Sequence, residues 1–248
     1  MGLENIIHSL DNNSKQTLVI GDVHGRYDLL KQGFDLINIL SEGVNTNIVL
    51  LGDYIDRGEN SKLVIEKLRR EFGVPLGKNH AALMGNHEQM CLYAHDFGFF
   101  NEWVNSGGDA TLNSYNSDKM PDGDIEFIRQ MPIIAEDRNG YYVHAGINSD
   151  YPINSHRQYP TCLWLRHEFF KNVEFMELHK PIIYGHTPRE KPMIHRDRFG
   201  IVVAIGIDTG AEFSDNLTLL QITEDEEKTH YTTWSIGKNH ATPTSLFW

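Results

Sequence analysis

The stretch Thr17–Leu40, TLVIGDVHGRYDLLKQGFDLINIL, carries the pattern that organises the first half of the chain. Thr17–Ile20 is short, apolar and β-branched, which predicts a strand. It stops at Gly21-Asp22, and from Tyr27 to Leu40 the apolar residues Leu29, Leu30, Phe34 and Ile37 recur at helical spacing. The order then repeats twice. Asn47–Leu51 reads as a second buried strand ending at Gly52-Asp53, followed by a helix over Ser61–Phe72 carrying Leu63, Ile65, Leu68 and Phe72. Ala81–Met84 reads as a third, ending at Gly85-Asn86. Asp53 lies 31 residues after Asp22, and Asn86 lies 33 residues after Asp53, which is the length of successive βαβ units.

Beyond this repeat, Phe97–Met131 reads as helical but irregular, with helix caps expected at Asp109 and Asp122. The second half is richer in strands. Ile133–Glu136 and Tyr141–Val143 flank Asn139-Gly140, a hairpin turn signal. Pro181–Tyr184, Ile201–Ile207, Asn216–Thr223 and His230–Trp234 follow, and the acidic run Glu224–Glu227 reads as a solvated hairpin loop. An α/β beginning followed by a strand-rich half predicts a four-layer α-β-β-α sandwich, two mixed sheets flanked by helices. No linker or low-complexity tract interrupts residues 1–248, so one domain is expected, with the motif-bearing part over 17–210.

The chain has 248 residues and a formal net charge of −12, the opposite of the basic footprint that a nucleic-acid-coating protein needs. At 40% hydrophobic residues it can build a full core. Cys91 and Cys162 are too few for a disulfide scaffold and form no zinc-finger spacing, which points to a reducing cytoplasm. No apolar run reaches the roughly 20 residues of a membrane helix, and the N-terminal stretch lacks the pattern of a signal peptide. Thirteen histidines, in contrast, raise the question of which bind metal.

The strand ends answer it. Three consecutive strands close on GDVHG (Gly21–Gly25), GDYIDRG (Gly52–Gly58) and GNHE (Gly85–Glu88), and two later ones on VHAG (Val143–Gly146) and YGHTP (Tyr184–Pro188). Ligands of open α/β sheets sit outside the carboxyl ends of the strands, so the five segments are expected to converge on one crevice. Their donors are Asp22, His24, Asp53, Asn86, His144 and His186. Oxygen and nitrogen donors without thiolate suit divalent Mn²⁺ foremost, with Fe or Zn²⁺ as alternatives. Six residues exceed the needs of one tetrahedral ion, and a shared carboxylate would let them serve two metals; Asp53, on the middle strand of three, is the expected bridge. A single Gly-Asp is ordinarily only a turn, and a single histidine ordinarily a satisfied imidazole. The order of all five segments is what carries the reading.

These blocks resemble the signatures of the phosphoprotein phosphatase branch of the calcineurin-like metallophosphoesterases. They cover Gly21 to Pro188, about two thirds of the chain. GGDATLNSY (Gly107–Tyr115) and IDTG (Ile207–Gly210) resemble the bacterial and lambda-phage-type serine/threonine protein phosphatases, which are also similar to the symmetrical diadenosine tetraphosphatases. Met84 stands where the eukaryotic members have Arg, and with no long C-terminal extension no regulatory subunit is implied. The resemblance implies Asp22 and His24 on a first metal, Asp53 bridging, and Asn86, His144 and His186 on a second. It further implies His87 as general acid, paired with Asp56, and Arg57 with a second arginine on the phosphoryl oxygens. Arg166 is the choice for that second arginine, with Arg157 and Arg189 as rivals. Asn86 would also contact the phosphate. Glu88 has a plainer reading, as an early helix carboxylate at the positive helix end. His8, His80, His95, His156, His167, His179, His195, His230 and His240 fall in no motif.

The expected activity is therefore hydrolysis of a phosphomonoester by a metal-activated hydroxide with His87 as the acid, most simply on phosphoserine or phosphothreonine in proteins. Hydrolysis of a dinucleoside polyphosphate is the main alternative, since the same site can cut an anhydride. Action on nucleic-acid ends or cyclic nucleotides, and a non-catalytic metal-binding module, are weaker readings; holding metal alone would need neither His87 nor Asp56.

Overall fold

A computed structural model describes residues 6–73, 77–175, 179–237 and 241–246. The chain opens with β1 (Ile7–Ser9), a strand too short to register in the sequence pattern. The repeated units follow as expected. β2 (Gln16–Ile20), β3 (Thr46–Leu50) and β4 (His80–Ala82) run parallel and side by side, joined through α1 (Tyr27–Ser41) and α2 (Ser61–Phe72). Ala81–Met84 is corrected by two residues, because Met84 already lies past the strand. On α2 the buried face is Ser61, Val64, Ile65, Leu68 and Phe72, so Ile65, Leu68 and Phe72 pack as expected, while Leu63 is 40% exposed and Val64 takes its place.

The region from Asn86 to Arg129 is a chain of short helices rather than one. α3 (Asn86–Phe97) is followed by α4 (Phe100–Trp103), a π-helical turn over Val104–Gly108, α5 (Asp109–Tyr115) and α6 (Asp122–Arg129). Neither aspartate caps. Asp109 continues the helical run out of the π turn, and Pro121 occupies the cap position ahead of Asp122. Gly107, at φ 107°, supplies the non-helical backbone that the π turn requires.

The strand-rich half supplies a second sheet and completes the first. β5 (Ile134–Asp137) and β6 (Gly140–Val143) form the expected hairpin. Gly140 is paired to Asp137 within it, so the turn residues are Arg138 and Asn139 rather than Asn139-Gly140. α7 (Gln158–Trp164) and α8 (His167–Asn172) precede β7 (Ile182–Tyr184). Next come β8 (Met193–Arg196), which the sequence reading missed, β9 (Val202–Gly206), the short α9 (Ala211–Ser214) and β10 (Asn216–Glu224). β11 (Thr229–Gly237) and β12 (Ala241–Leu246) close the described chain. The two six-stranded sheets run β1-β5-β6-β7-β9-β8 and β12-β11-β10-β2-β3-β4, and both mix parallel and antiparallel pairs.

Strand alternation sorts the core into two parts. Val19 and Val49 point between the sheets and pack with Ala81, Tyr142, Ile183, Ile205 and Leu220. Their neighbours Leu18, Ile20 and Leu50 point the other way, into a cluster with Leu29, Leu30, Ile37, Val64 and Leu68 of the covering helices. Two mixed sheets face to face with helices outside are the expected architecture. At the edge of the inter-sheet space sits one buried carboxylate. Asp137 accepts hydrogen bonds from Asn47 Nδ2 (2.9 Å) and the Tyr142 hydroxyl (2.9 Å), and from the hydroxyl of Thr17. The backbone N–H groups of Asn139 and Gly140 also donate to it, at 2.8 and 3.2 Å.

Candidate active site

β2, β3, β4, β6 and β7 are the strands whose carboxyl ends carry the sequence blocks, and their loops meet at one end of the facing sheets. The turns are sharp enough to leave ordinary backbone space. His24, Asp53, Asp56, Arg57 and His186 all have positive φ, between 43° and 72°. Such conformations cost of order 1–3 kcal/mol each for residues with a Cβ and persist only where surroundings over-determine them. The glycines allow the loops to touch: a Cβ on Gly85 would lie 2.4 Å from the Asp53 nitrogen, and one on Gly58 would lie 2.1 Å from the His24 carbonyl oxygen.

Glu88 supplies much of the over-determination. Its carboxylate is fully buried and accepts four backbone N–H groups: Asp53 and Gly85 at 2.8 and 2.9 Å, Tyr54 and Ile55 at 2.8 and 3.3 Å. Burial and the Asp53 charge raise its pKa, while the Tyr54 and Gly85 N–H groups pull it back. Glu88 is thus the post around which the GDYIDRG loop is wound, a role well beyond an early helix charge. Its bond from the Gly85 N–H is the Glu half of a capping box; glycine at the cap has no side chain to supply the other half.

Two groups of potential metal donors result, and Asp53 belongs to both: His24, Asp53 and His87, and Asp53, His144 and His186. Each has its ligand atoms within 4.8 Å of one another. The imidazole tautomers follow from their outer partners. His24 Nδ1 faces the Ile55 carbonyl at 2.9 Å and His144 Nδ1 faces the Leu51 carbonyl at 3.0 Å, so both carry the proton there and turn a lone pair inward on Nε2. His144 Nε2 then confronts Asn86 Oδ1 at 2.9 Å, His186 Nδ1 at 3.1 Å and Asp53 Oδ1 at 3.4 Å. Lone pairs facing lone pairs in a buried space suit a divalent cation. Burial keeps these rings neutral, lowering the His144 pKa to about 4 and depressing His186 as well. Asp22 lies beside the groups rather than within them: its carboxyl oxygens accept the His186 N–H at 3.1 and 3.0 Å. Burial and the charges of Asp208 and Asp53 raise its pKa well above the usual range, a cost that a bound cation would relieve.

His87 is held differently. Its Nδ1 lies 2.7 Å from Asp56 Oδ2, and its backbone N–H donates to Asp53 Oδ1 at 3.0 Å. Burial works against the imidazolium, but the Asp53 charge and the Asp56 hydrogen bond outweigh it and raise the His87 pKa. Asp56 is itself completely buried and accepts the Trp103 indole N–H and the Thr111 hydroxyl (2.7 Å). From the sequence Trp103 reads as a core or substrate-wall aromatic and Thr111 carries no role, so neither was expected as a partner of Asp56; the nearest signal was the GGDATLNSY segment, whose Gly107 carbonyl accepts the Arg57 N–H at 3.0 Å.

Arg57 opens onto the same space, with Nη2 3.1 Å from His87 Nε2 and Nη1 3.1 Å from His24 Nε2. Arg166 donates to the Thr187 hydroxyl at 3.0 Å, next to His186. Its rivals face elsewhere: Arg157 lies over the Tyr151 ring and Arg189 over Phe170. Of the unassigned histidines, His195 stacks on Phe170 and meets the Tyr184 hydroxyl at 2.7 Å, His230 pairs with exposed Asp225, and His167 is exposed. His240 lies outside the described residues.

A buried carboxylate shared by two donor groups, with the Arg57 and Arg166 guanidinium groups beside the donor histidines, defines a metal-dependent phosphoester hydrolase. The chain belongs to the calcineurin-like phosphoesterase family, whose profile matches residues 15–223. It is 28% identical to serine/threonine-protein phosphatase 1 of Salmonella typhimurium over 217 residues, which is 85% of this chain and 93% of that protein. In fold it matches a putative diadenosine tetraphosphatase with a TM-score of 0.62 at 18% identity, covering 95% of this chain and 99% of that one. It also matches a cold-active protein-tyrosine phosphatase of a Shewanella species with a TM-score of 0.66 at 16% identity, over 97% of this chain and 82% of that one.

Proposed function

We propose that the protein is a serine/threonine protein phosphatase that hydrolyses phosphomonoesters directly, without a covalent enzyme intermediate. The observation that carries this reading is Asp53, common to both donor groups and 3.0 Å from the backbone N–H of the His87 that faces Asp56. The similarity to the Salmonella phosphatase over 93% of its length supports protein phosphomonoesters as the substrate class. Two divalent ions, Mn²⁺ foremost, would be held by Asp22, His24 and Asp53 on one side and by Asp53, Asn86, His144 and His186 on the other. When bound they supply hydroxide at neutral pH and draw charge from the phosphoryl oxygens.

The remaining steps belong to side chains. Arg57 and Arg166 grip the phosphoryl oxygens from two directions and set phosphorus in line between the attacking and leaving oxygens. Asn86 donates its amide N–H to the same group. Arg57 leaves His87 Nε2 as it turns to phosphate, freeing that nitrogen to carry a proton. Asp56 on Nδ1 favours the imidazolium, and Nε2 delivers the proton to the leaving serine or threonine oxygen. Cys91 and Cys162 are free thiols buried in the core, where burial raises the pKa of both, so neither serves as nucleophile.

The reading includes a single domain over the whole chain and work in a reducing cytoplasm. Substrates are phosphoproteins or small phosphate esters rather than nucleic acid, in keeping with the net charge of −12. Among the described residues no helix is long and apolar enough to cross a membrane. Parallel assays on a phosphoserine peptide, a phosphotyrosine peptide and diadenosine tetraphosphate test it. The phosphoserine peptide is expected to give the highest kcat/KM, and a strong preference for the dinucleotide would overturn the assignment.

A further inference from the structure

Glu212, on α9, reaches across the site to Arg57. Its Oε1 lies 2.7 Å from Arg57 Nη1, in an ion pair whose acid is 10% exposed and whose base is 41% exposed. Its second oxygen, Oε2, is buried without a hydrogen-bond partner among the described residues. Arg57 turns its other contacts to imidazole nitrogens, those of His24 and His87, each at 3.1 Å. Glu212 is therefore the anion held by the guanidinium proposed to receive phosphate, and it holds it through one of the terminal nitrogens that a bidentate phosphoryl contact would use.

We infer that Glu212 competes with the phosphoryl group for Arg57 and thereby sets how tightly substrate and product phosphate are held. The inference rests on the reading of Arg57 as a phosphate ligand. A phosphate dianion and a carboxylate on one guanidinium repel each other, so phosphate binding must displace Glu212 or tolerate it. Both routes weaken the ground-state complex and hasten release of inorganic phosphate. A purely positioning role predicts the opposite sign, because a carboxylate that only aims Arg57 would strengthen phosphate binding.

Inorganic phosphate as a competitive inhibitor, with an aryl phosphate as substrate, separates the two. In Glu212→Gln, phosphate is expected to inhibit roughly two- to fivefold more strongly, the range of a partly exposed ion pair. KM is expected to fall with it while kcat does not rise. Glu212→Ala is expected to shift the same way, which removes dependence on the amide. Unchanged or weaker inhibition in both variants overturns the competition. Arg57→Ala distinguishes the causes of failure. If it leaves phosphate inhibition unchanged, the clamp and the competition fall together. If it weakens inhibition while the Glu212 variants do not respond, the competition alone falls.

Discussion

The indole N–H of Trp103 lies 3.0 and 2.9 Å from the two carboxylate oxygens of Asp56, a residue 47 positions earlier in the chain. Asp56 in turn faces His87 at 2.7 Å, so a tryptophan outside every strand-end block anchors the proposed acid pair from behind. Gly108 makes room for it, since a Cβ there would come within 2.7 Å of the indole. Trp103→Phe keeps the ring and removes the donor. With the charged acceptor left one hydrogen bond short, kcat is expected to fall roughly three- to tenfold, with KM and metal content unchanged. A loss of bound metal in this variant would show that Trp103 supports the whole loop and not the dyad.

His87 and Asp53 should separate proton transfer from metal binding. His87→Asn is expected to lower kcat by roughly 10²–10⁴-fold with metal still bound, whereas Asp53→Asn should lose metal and turnover together. Elemental analysis beside steady-state kinetics reads both. Chelation should abolish activity in the wild type, with added Mn²⁺ restoring it; full activity in chelator would remove the metal mechanism.

Glu88→Ala would leave the N–H groups of Asp53, Tyr54, Ile55 and Gly85 buried without their acceptor. The expected loss is about 3 kcal/mol or more of folding stability, since each stranded donor carries a desolvation cost. Denaturant midpoints measured on metal-free protein report it without interference from metal binding. A change below about 0.5 kcal/mol would mean that these loops hold their positive-φ conformations by other contacts.

Asp137 lies at the far edge of the inter-sheet space, away from the chemistry. Asp137→Ala would strand the hydroxyl donors of Thr17 and Tyr142 and take from Asn47 one of its two acceptors. It is expected to cost about 3 kcal/mol, read as a lower denaturant midpoint, while kcat per folded molecule stays at the wild-type value. A drop in kcat at full folding would place Asp137 in communication with the site.

The strands with chemistry at their ends were legible because their signal is local. GDVHG, GDYIDRG and GNHE each follow an apolar run of strand length, and the helices after the first two carry apolar residues at helical spacing. The five strand-end blocks also named Asp22, His24, Asp53, Asn86, His144 and His186 as candidate donors; the structure gathers His24, Asp53, His144 and His186 into the two donor groups, adds His87, and leaves Asp22 beside them on the His186 N–H. The same method failed where a segment is short or its partner distant. β1 and β8 have three and four residues, too few for a period to emerge. Asp109 and Asp122 looked like caps because aspartate often caps, yet the π turn and Pro121 took those positions.

What the sequence by itself determined is therefore the α/β class, the order of the strand-end blocks and the candidate donors they carry. Their spacing is written into residues a few positions apart. Tertiary structure alone decided which groups restrain them: Glu88 under the Asp53 loop, Trp103 behind Asp56, and Glu212 on Arg57, 155 residues away in the chain. Hydrophobic period and turn chemistry describe the neighbourhood of a residue along the chain. Which carboxylate meets which donor depends on how the two sheets and the loops above them pack, and no local pattern encodes that.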